Sequence, residues 1–307
     1  MSIVVTGGAG FIGANLSRRL CEQGGEVVVL DDLSTGSLDN LRDLDVTFVQ
    51  GTILDPDTLD AAMRGAEAVV HLAARPSVPR SLSDPVASHL VNASGTVEVL
   101  EAARRAGSPH VVVASSSSVY GANPVLPKHE DLATLPLSPY AASKLATESY
   151  ALAYQHSFGV PTLAFRFFNV FGPLQAAGHA YAAVVPMFVS AALEGRPLTV
   201  HGDGKQTRDF TYIDTVTEVI ADAIARHVTS PTPVNLAFGT RTDLLTLIAE
   251  LESILDVSLT VEHVEPRRGD VKHSQADSTR LAELFPAIVP TPLPEALRAT
   301  VDWFRAS

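Results

Sequence analysis

The chain has 307 residues, a formal net charge of −12 and one cysteine, Cys21; this length suits one large domain or two smaller domains that share an interface. The acidic charge argues against nucleic acid as a partner, and a single cysteine excludes an intramolecular disulfide and a cysteine-based zinc cluster, so we expect no metal. No apolar run reaches the roughly 18 residues of a membrane span and the N-terminus lacks the basic region of a signal peptide, which predicts a cytoplasmic protein that does not enter a membrane.

Short apolar runs alternate with amphipathic stretches through the first half of the chain. The runs are rich in β-branched residues and almost entirely apolar, as expected for parallel strands that helices cover on both faces. The predicted strands are 3–5, 27–30, 46–49, 68–72, 110–114 and 161–165, and the predicted helices are 11–23, 57–63, 92–106 and 139–157. This alternation predicts an α/β fold with a doubly wound parallel sheet.

A glycine-rich segment follows the first predicted strand directly. Gly7, Gly10 and Gly13 are spaced as G-x-x-G-x-x-G, and the next helix is predicted to begin at Phe11 and Ile12. Glycines allow a tight turn, let backbone N–H groups approach a pyrophosphate at the helix N-terminus, and let the helix pack closely on the strand. The segment therefore predicts a dinucleotide site.

An acidic residue, Asp31, stands at the end of the second predicted strand, 18 residues after Gly13. A carboxylate at this position accepts hydrogen bonds from the adenosine ribose hydroxyls and repels a 2′-phosphate. This favours NAD over NADP as the cofactor. The alternative is that Asp31 or Asp32 only caps a loop.

Polar residues follow the fifth predicted strand, at the edge of the sheet where ligands bind in doubly wound folds. Four serines occupy 115–118, and Ser138 with Pro139 predicts the start of a helix. Tyr140 and Lys144 lie four residues apart on one face of that helix. An ammonium beside a phenol favours the phenolate, so we expect Tyr140 to act as a general base near neutral pH, with help from a serine hydroxyl.

Beyond Arg166 the alternation breaks into shorter pieces that glycine and proline interrupt. Helical patterns continue near 184–193, 214–227, 243–255 and 293–304, and 227–233 is interpreted as a surface loop. These patterns predict a smaller, mixed α/β domain in the C-terminal part of the chain.

The sequence resembles the NAD-dependent epimerase/dehydratase family of extended short-chain dehydrogenases, and most of all its UDP-sugar 4-epimerases. The matching motifs are GGAGFIG at 7–13, DDLSTG at 31–36, HLAA at 71–74, SSSSVYG at 115–121, YAASK at 140–144, RFFNVFGP at 166–173, GDGKQTRDFTYIDT at 202–215 and RRGDV at 267–271. The resemblance covers essentially the whole chain. It implies a Rossmann-type NAD-binding domain at 1–168 and about 211–239, and a nucleotide-sugar-binding domain at about 169–210 and 240–307.

The resemblance also implies roles for single residues. Ser116, four residues before Tyr120, is the expected catalytic hydroxyl, with Tyr140 and Lys144 as its partners. The residues expected to bind NAD are Gly7, Gly10, Phe11, Ile12, Gly13, Asp31, Asp32, Ser34, Thr35, Gly36, Thr52, Ile53, Leu72, Ala73, Ala74, Asn92, Tyr140 and Lys144. The residues expected to bind the UDP-sugar are Ser116, Ser117, Asn169, Val185, Leu198, Val200, Arg208, Arg267, Asp270 and Ser274.

The end of the fifth strand also discriminates among the reactions of this family. Dehydratases carry an Asp-Glu pair where Ser117 and Ser118 stand, and decarboxylases usually carry a glutamate at the second of these positions, so 4-epimerisation through a transient keto sugar is favoured. UDP-glucose and UDP-galactose are the expected substrates. UDP-glucuronate and UDP-N-acetylglucosamine are alternatives, because the small Ser274 leaves space beside the sugar. An NAD-sensing regulatory protein without catalysis is a distant alternative.

Relatives commonly dimerise through the helices that correspond to 92–106 and 139–157. The resemblance therefore also implies a homodimer. The composition itself carries no signal for an oligomeric state.

Overall fold

The computed structural model describes residues 1–178, 182–265 and 272–307. Its strands are β1 (Ser2–Thr6), β2 (Glu26–Asp31), β3 (Val46–Gln50), β4 (Ala68–His71), β5 (His110–Ser116), β6 (Thr162–Phe167), β7 (Asn169–Phe171), β8 (Leu198–His201), β9 (Thr207–Arg208), β10 (Phe210–Tyr212), β11 (Val234–Leu236), β12 (Thr242–Asp243) and β13 (Val261–Val264). Its helices are α1 (Phe11–Glu22), α2 (Pro56–Ala62), α3 (Val78–Ser83), α4 (Pro85–His89), α5 (Gly95–Arg105), α6 (Pro139–Phe158), α7 (Val184–Leu193), α8 (Ile213–Ala225), α9 (Leu244–Leu255), α10 (Thr279–Leu284) and α11 (Leu293–Ala306). Short 3-10 turns span Leu38–Leu41 and Ser117–Tyr120, and a π-helical turn spans Leu90–Ser94.

Seven strands form one parallel sheet in the order β11-β6-β5-β4-β1-β2-β3. The direction in which successive strands are added reverses between β1 and β4, which opens a crevice at the carboxyl ends of these strands. The predicted doubly wound parallel sheet is therefore confirmed. The strands and helices expected before Arg166 are all present, with ends shifted by at most three residues.

Helices cover both faces of this sheet. Val4 and Val5 are adjacent in β1 and point to opposite faces, because side chains alternate along a strand. Val5 packs in a core with Leu16 of α1 and Val219 of α8, whereas Val4 packs in a second core with Val99 of α5. Burial on both faces explains why the strands are apolar throughout.

The chain after β6 builds a smaller α/β unit with a core of its own. Phe188 of α7, Leu247 of α9 and Leu297 of α11 pack together in this core. Among the described residues, three short strand pairs accompany the helices: β7 with β10 and β8 with β13 in parallel, and β9 with β12 antiparallel. The expected smaller mixed unit is present, and α8 and β11 return from it to the large sheet.

The seventh strand of the large sheet, β11, has no counterpart among the predicted strands. It has three residues and pairs with β6 after the loop predicted at 227–233. Three residues with a central asparagine are too few to show a periodic pattern, so the pairing of this strand depends on tertiary contacts. Among the described residues, none of the helices has both the length and the apolar character needed to cross a membrane.

Candidate active site

The turn between β1 and α1 has no room for side chains at its glycines. Gly7 has a φ of +71°, and a Cβ atom at Gly13 would lie 2.2 Å from the Gly7 carbonyl oxygen. Helix α1 begins with Phe11 and Ile12. The residue before it, Gly10, has no side chain to cap the first N–H groups of the helix. These N–H groups are suited to bind a phosphate at the positive end of the helix.

Asp31 ends β2 beside this turn and is buried. Its Oδ2 accepts a hydrogen bond from the Ala9 backbone N–H at 3.0 Å, and its Oδ1 accepts one from the Leu33 N–H at 2.8 Å. Burial raises the pKa of the Asp31 carboxyl, and the two hydrogen bonds oppose that rise. Gly36 packs against Ala9, where an added Cβ would lie 2.8 Å from the Ala9 carbonyl carbon. The neighbouring expected cofactor residues Asp32, Ser34 and Thr35 are exposed in the same loop.

The loop after β4 closes this side of the crevice. Ala73 lies against the glycine turn, because a Cβ at Gly7 would be 2.7 Å from the Ala73 nitrogen. The buried Asn92 accepts a hydrogen bond from the Arg75 N–H at 2.7 Å and donates from Nδ2 to Ser143 Oγ at 2.9 Å. Asn92 therefore ties this loop to helix α6.

The remaining expected cofactor residues lie at the same edge of the sheet. Leu72 and Ala74 flank Ala73 and are partly buried. Thr52 and Ile53 follow β3, and the buried Ile53 side chain packs against α5, where a Cβ at Gly95 would lie 2.6 Å from Ile53 Cδ1. The crowded glycines, the start of α1 and the Asp31 carboxylate together fit the pyrophosphate and ribose of a dinucleotide.

Replacing Asp31 with alanine is expected to weaken NAD binding and to narrow the preference for NAD over NADP. The change removes a charged acceptor for the ribose, worth about 1.5–3 kcal/mol, and also removes the repulsion of a 2′-phosphate. Calorimetric Kd values for both cofactors measure this effect. Asp39→Ala, which removes an exposed carboxylate farther along the chain, serves as the control. A wild-type protein that bound NADP more tightly than NAD would refute the assignment.

Ser116, Tyr140 and Lys144 converge at the carboxyl end of β5. Ser116 is the last residue of this strand, and its Oγ accepts a hydrogen bond from Ser118 Oγ at 2.9 Å. Helix α6 begins after Ser138, whose hydroxyl caps the first turn, so that Tyr140 lies in that turn and Lys144 one turn later. Ser116 lies beside the Tyr140 side chain, and its hydroxyl acts to lower the pKa of the phenol. The three residues predicted to be catalytic therefore share one site.

Burial dominates the electrostatics of this group. It raises the pKa of Tyr140, while the hydrogen bond with Ser116 lowers it. Burial lowers the pKa of Lys144 to about 8, and Lys144 Nζ donates to the Ala114 carbonyl oxygen at 2.8 Å. The expected lowering of the Tyr140 pKa is thus not met by the chain alone, because desolvation of the phenolate outweighs the groups that stabilise it.

A buried ion pair lies one helical turn beyond Lys144. Glu148 Oε1 and Arg166 Nη2 are 2.7 Å apart, and their side chains are 3% and 4% exposed. Ser115 Oγ donates to Glu148 Oε2 at 2.6 Å and to the Lys144 carbonyl oxygen at 3.2 Å. The Arg166 guanidinium also lies 4.7 Å from the centre of the Tyr120 ring. This network joins α6 to β5 and β6 behind the catalytic residues, and the only signal for it in the sequence is the i+4 spacing of Glu148 from Lys144.

A cavity of about 480 Å³ opens beside the smaller unit. Three of the residues expected to bind the substrate line it, namely Asn169, Val185 and Arg208. Its other walls include Val78, Pro79, Phe168, Met187, Thr199, His201 and Gln206, none of which was expected from the sequence. Among the described lining residues, Arg208 is the one with a permanently positive side chain, which suits an anionic ligand group.

The residues of β8 that line this cavity differ from those expected from the sequence. Leu198 and Val200 are buried in the core of the smaller unit, and their side chains do not line the cavity. Thr199 and His201 line it instead, because side chains alternate along a strand.

The other expected substrate residues have diverse positions. Ser117 is partly buried and opens the 3-10 turn after Ser116. Ser274 is partly buried and donates its backbone N–H to the Thr207 carbonyl oxygen at 3.1 Å, but it is not among the residues that line the cavity. Arg267 and Asp270 lie outside the described residues. The described ranges also contain no group of three or more His, Cys, Asp or Glu side chains arranged to hold a metal ion.

Several known proteins have a similar sequence and the same fold. Residues 3–237 match the NAD dependent epimerase/dehydratase family. The chain is similar to a UDP-glucose 4-epimerase of Mycolicibacterium smegmatis, with 38% identity over 99% of this chain and 99% of that relative. It is also similar to the solved structure of a UDP-N-acetylglucosamine 4-epimerase from Methanobrevibacter ruminantium M1 in complex with UDP-N-acetylmuramic acid, with a TM-score of 0.94, 34% identity, and coverage of 99% of this chain and 98% of that chain.

A third similar protein was solved with its cofactor. It is a mutant UDP-glucuronic acid 4-epimerase from Bacillus cereus, in complex with NAD and UDP-4-deoxy-4-fluoro-glucuronic acid, with a TM-score of 0.91, 31% identity, and coverage of 100% of this chain and 99% of that chain. The expected family, fold and NAD cofactor are confirmed. By sequence and by structure, the chain belongs to the NAD-dependent epimerase/dehydratase family.

Proposed function

We propose that this enzyme is an NAD-dependent UDP-sugar 4-epimerase and that UDP-glucose and UDP-galactose are its substrates. The observation that carries the proposal is the position of Tyr140 in the first turn of α6, beside Ser116 at the end of β5 and one helical turn from Lys144. Ser117 and Ser118 occupy the two positions at which dehydratases of this family carry the additional acid and base that remove water. Epimerisation needs only one acid–base group at the 4-hydroxyl, and Tyr140 supplies it.

In this reaction, Tyr140 accepts the proton of the sugar 4-hydroxyl while Ser116 hydrogen-bonds the same oxygen. Bound NAD would supply the hydride acceptor and donor for carbon 4, and inversion requires that the transient 4-keto sugar turn within the pocket before carbon 4 is reduced. Tyr140 gives its proton back to the oxygen in the second half of the reaction. The Lys144 ammonium favours the phenolate form of Tyr140 between these two transfers.

On the substrate side, we propose that Asn169 and Arg208 bind the diphosphate, together with Arg267, and that Asp270 binds the nucleotide ribose. A hexuronate would add a carboxylate that needs a cation or several donors, because an unpaired buried charge is costly. The described cavity wall offers one permanent cation, Arg208. This favours a neutral sugar.

We further propose that residues 1–168 with about 211–239 bind NAD and that about 169–210 with 240–307 bind the nucleotide sugar. We also propose a homodimer formed through α5 and α6. In support, α3, α4 and the turn at 90–94 pack beside α6 and carry three exposed apolar side chains, Leu82, Val86 and Leu90, with 65%, 68% and 45% of their surface exposed. Sedimentation equilibrium tests this, because a monomer at micromolar concentration would contradict it.

The proposed reaction is tested by incubating the purified enzyme with UDP-glucose, UDP-N-acetylglucosamine and UDP-glucuronate, and by separating the epimers chromatographically. We expect the highest kcat/KM for the UDP-glucose and UDP-galactose pair. Loss of water or carbon dioxide from any sugar would identify a dehydratase or a decarboxylase. Bound NAD without turnover of any sugar would favour a regulatory protein.

A further inference from the structure

Asp209 lies between two residues of the cavity wall. Arg208 and Phe210 both line the cavity, whereas Asp209 is 0% exposed. Because successive side chains of extended chain point to opposite sides, the Asp209 carboxylate points away from the cavity and into the protein. The proposed reaction assigns no role to this buried carboxylate.

The carboxylate accepts hydrogen bonds from two segments that are distant in sequence. Its Oδ1 accepts from Thr240 Oγ1 at 2.9 Å, and its Oδ2 accepts from the Ala276 N–H at 3.0 Å. Burial raises the pKa of Asp209, and these donors oppose the rise. The carboxylate is therefore held by neutral donors from the 239–240 loop and from the chain at 276.

The same residue also holds Asn169 through its main chain. The Asp209 carbonyl oxygen accepts hydrogen bonds from the Asn169 backbone N–H and from Asn169 Nδ2, both at 3.2 Å. Asn169 lines the cavity and is expected to contact the diphosphate. The segment that ends at Ala276 includes Ser274. The backbone N–H of Ser274 donates a hydrogen bond to the carbonyl oxygen of Thr207, the residue before Arg208. Asp209 thus connects Asn169, the 239–240 loop and the 274–276 segment.

The chemistry of the donors explains why a carboxylate stands here. A carboxylate offers two acceptor oxygens and no donor, whereas an asparagine amide offers one acceptor oxygen and an NH₂ group. An amide would keep one acceptor oxygen, so its NH₂ group would face either the Ala276 N–H, which cannot accept, or Thr240 Oγ1, which would have to accept instead of donating. The two segments are therefore held together best by Asp209 in its ionised form.

We propose that Asp209 is a positioning residue of the substrate site. Its carboxylate fixes the 239–240 loop and the 274–276 segment against the strand that carries Arg208, and its carbonyl fixes Asn169. The diphosphate then meets preformed partners, which lowers the cost of ordering them on binding. This inference rests on the proposed function only for the identity of the ligand.

The test compares Asp209→Ala and Asp209→Asn with the wild-type holoenzyme by UDP calorimetry, steady-state kinetics and NAD content. In Asp209→Ala we expect the Kd of UDP and the KM of the UDP-sugar to rise about tenfold or more, with kcat changed less than about threefold and NAD content unchanged. Asp209→Asn keeps one acceptor and should show a smaller rise in both constants. If the alanine variant does not fold, the asparagine variant decides by the same measurements.

Thr300→Val is the matched control for a lost buried hydrogen bond. Thr300 is 0% exposed and donates to the Ala296 carbonyl oxygen at 2.7 Å within α11, away from the cavity. We expect this variant to lower Tm without changing the Kd of UDP.

Three outcomes would overturn the inference. They are an unchanged Kd in folded Asp209 variants, an equal rise in Thr300→Val, and a loss of kcat or NAD content at constant KM. If the wild type itself fails to bind UDP, the proposed function fails and takes the inference with it. That result is distinguished from the first three because it does not depend on any Asp209 variant.

Discussion

Tyr140→Phe is expected to lower kcat by about 10²- to 10⁴-fold, because it deletes the group that accepts and returns the proton of the sugar hydroxyl. The protein should still fold and retain NAD, since the aromatic ring stays in place and only the hydroxyl group is lost. Ser116→Ala should lose less activity, because Tyr140 still reaches the substrate oxygen. Steady-state kinetics and the absorbance of released NAD measure both effects.

Tyr150→Phe is the matched control for this substitution. Tyr150 lies on the same helix and is exposed, so loss of its hydroxyl should leave kcat unchanged. If Tyr140→Phe retained near wild-type kcat with unchanged stability, another group would have to be the base.

Glu148→Ala is expected to lower the free energy of unfolding by about 3–5 kcal/mol, because it leaves the Arg166 guanidinium buried without its counter-ion. The double substitution Glu148→Leu with Arg166→Met should recover much of that loss, since two apolar side chains of similar size need no partner. Urea unfolding followed by circular dichroism gives the free energies.

Asp60→Ala is the control for this ion pair. Asp60 pairs with Arg105 on the surface, where both side chains are well exposed, and removing such a pair changes stability by about 0–1 kcal/mol. If Glu148→Ala is no more destabilising than Asp60→Ala, the Glu148 and Arg166 pair does not hold α6 as described.

The large sheet could be predicted from the sequence because its signals are local. Each of the first six strands is an apolar run bounded by turn residues, and the glycine turn at 7–13 marks the passage from strand to helix. The seventh strand, Val234–Leu236, was missed because three residues show no period and its pairing with β6 joins distant parts of the chain.

The positions of the candidate catalytic residues could be predicted for the same reason. Tyr140 and Lys144 are related by helical spacing, and Asp31 is placed by the end of a strand. By contrast, the choice between Leu198 and Thr199 as cavity residues depends on which face of β8 packs on α7 and α9. The pairing of Glu148 with Arg166 and the burial of Asp209 likewise arise only when separate segments meet. The direction in which the pKa of Tyr140 is shifted also depends on burial, which the spacing of charges does not reveal.

The most direct test of the account follows the hydrogen at carbon 4. The holoenzyme is incubated with UDP-glucose that carries deuterium at carbon 4, in ordinary water, and the sugar products are analysed by mass spectrometry and NMR. We expect UDP-galactose that retains the deuterium at carbon 4, because the hydride stays on the bound cofactor and sugar while only the hydroxyl proton passes through Tyr140. Loss of the deuterium to solvent, or the absence of any UDP-galactose, would contradict it.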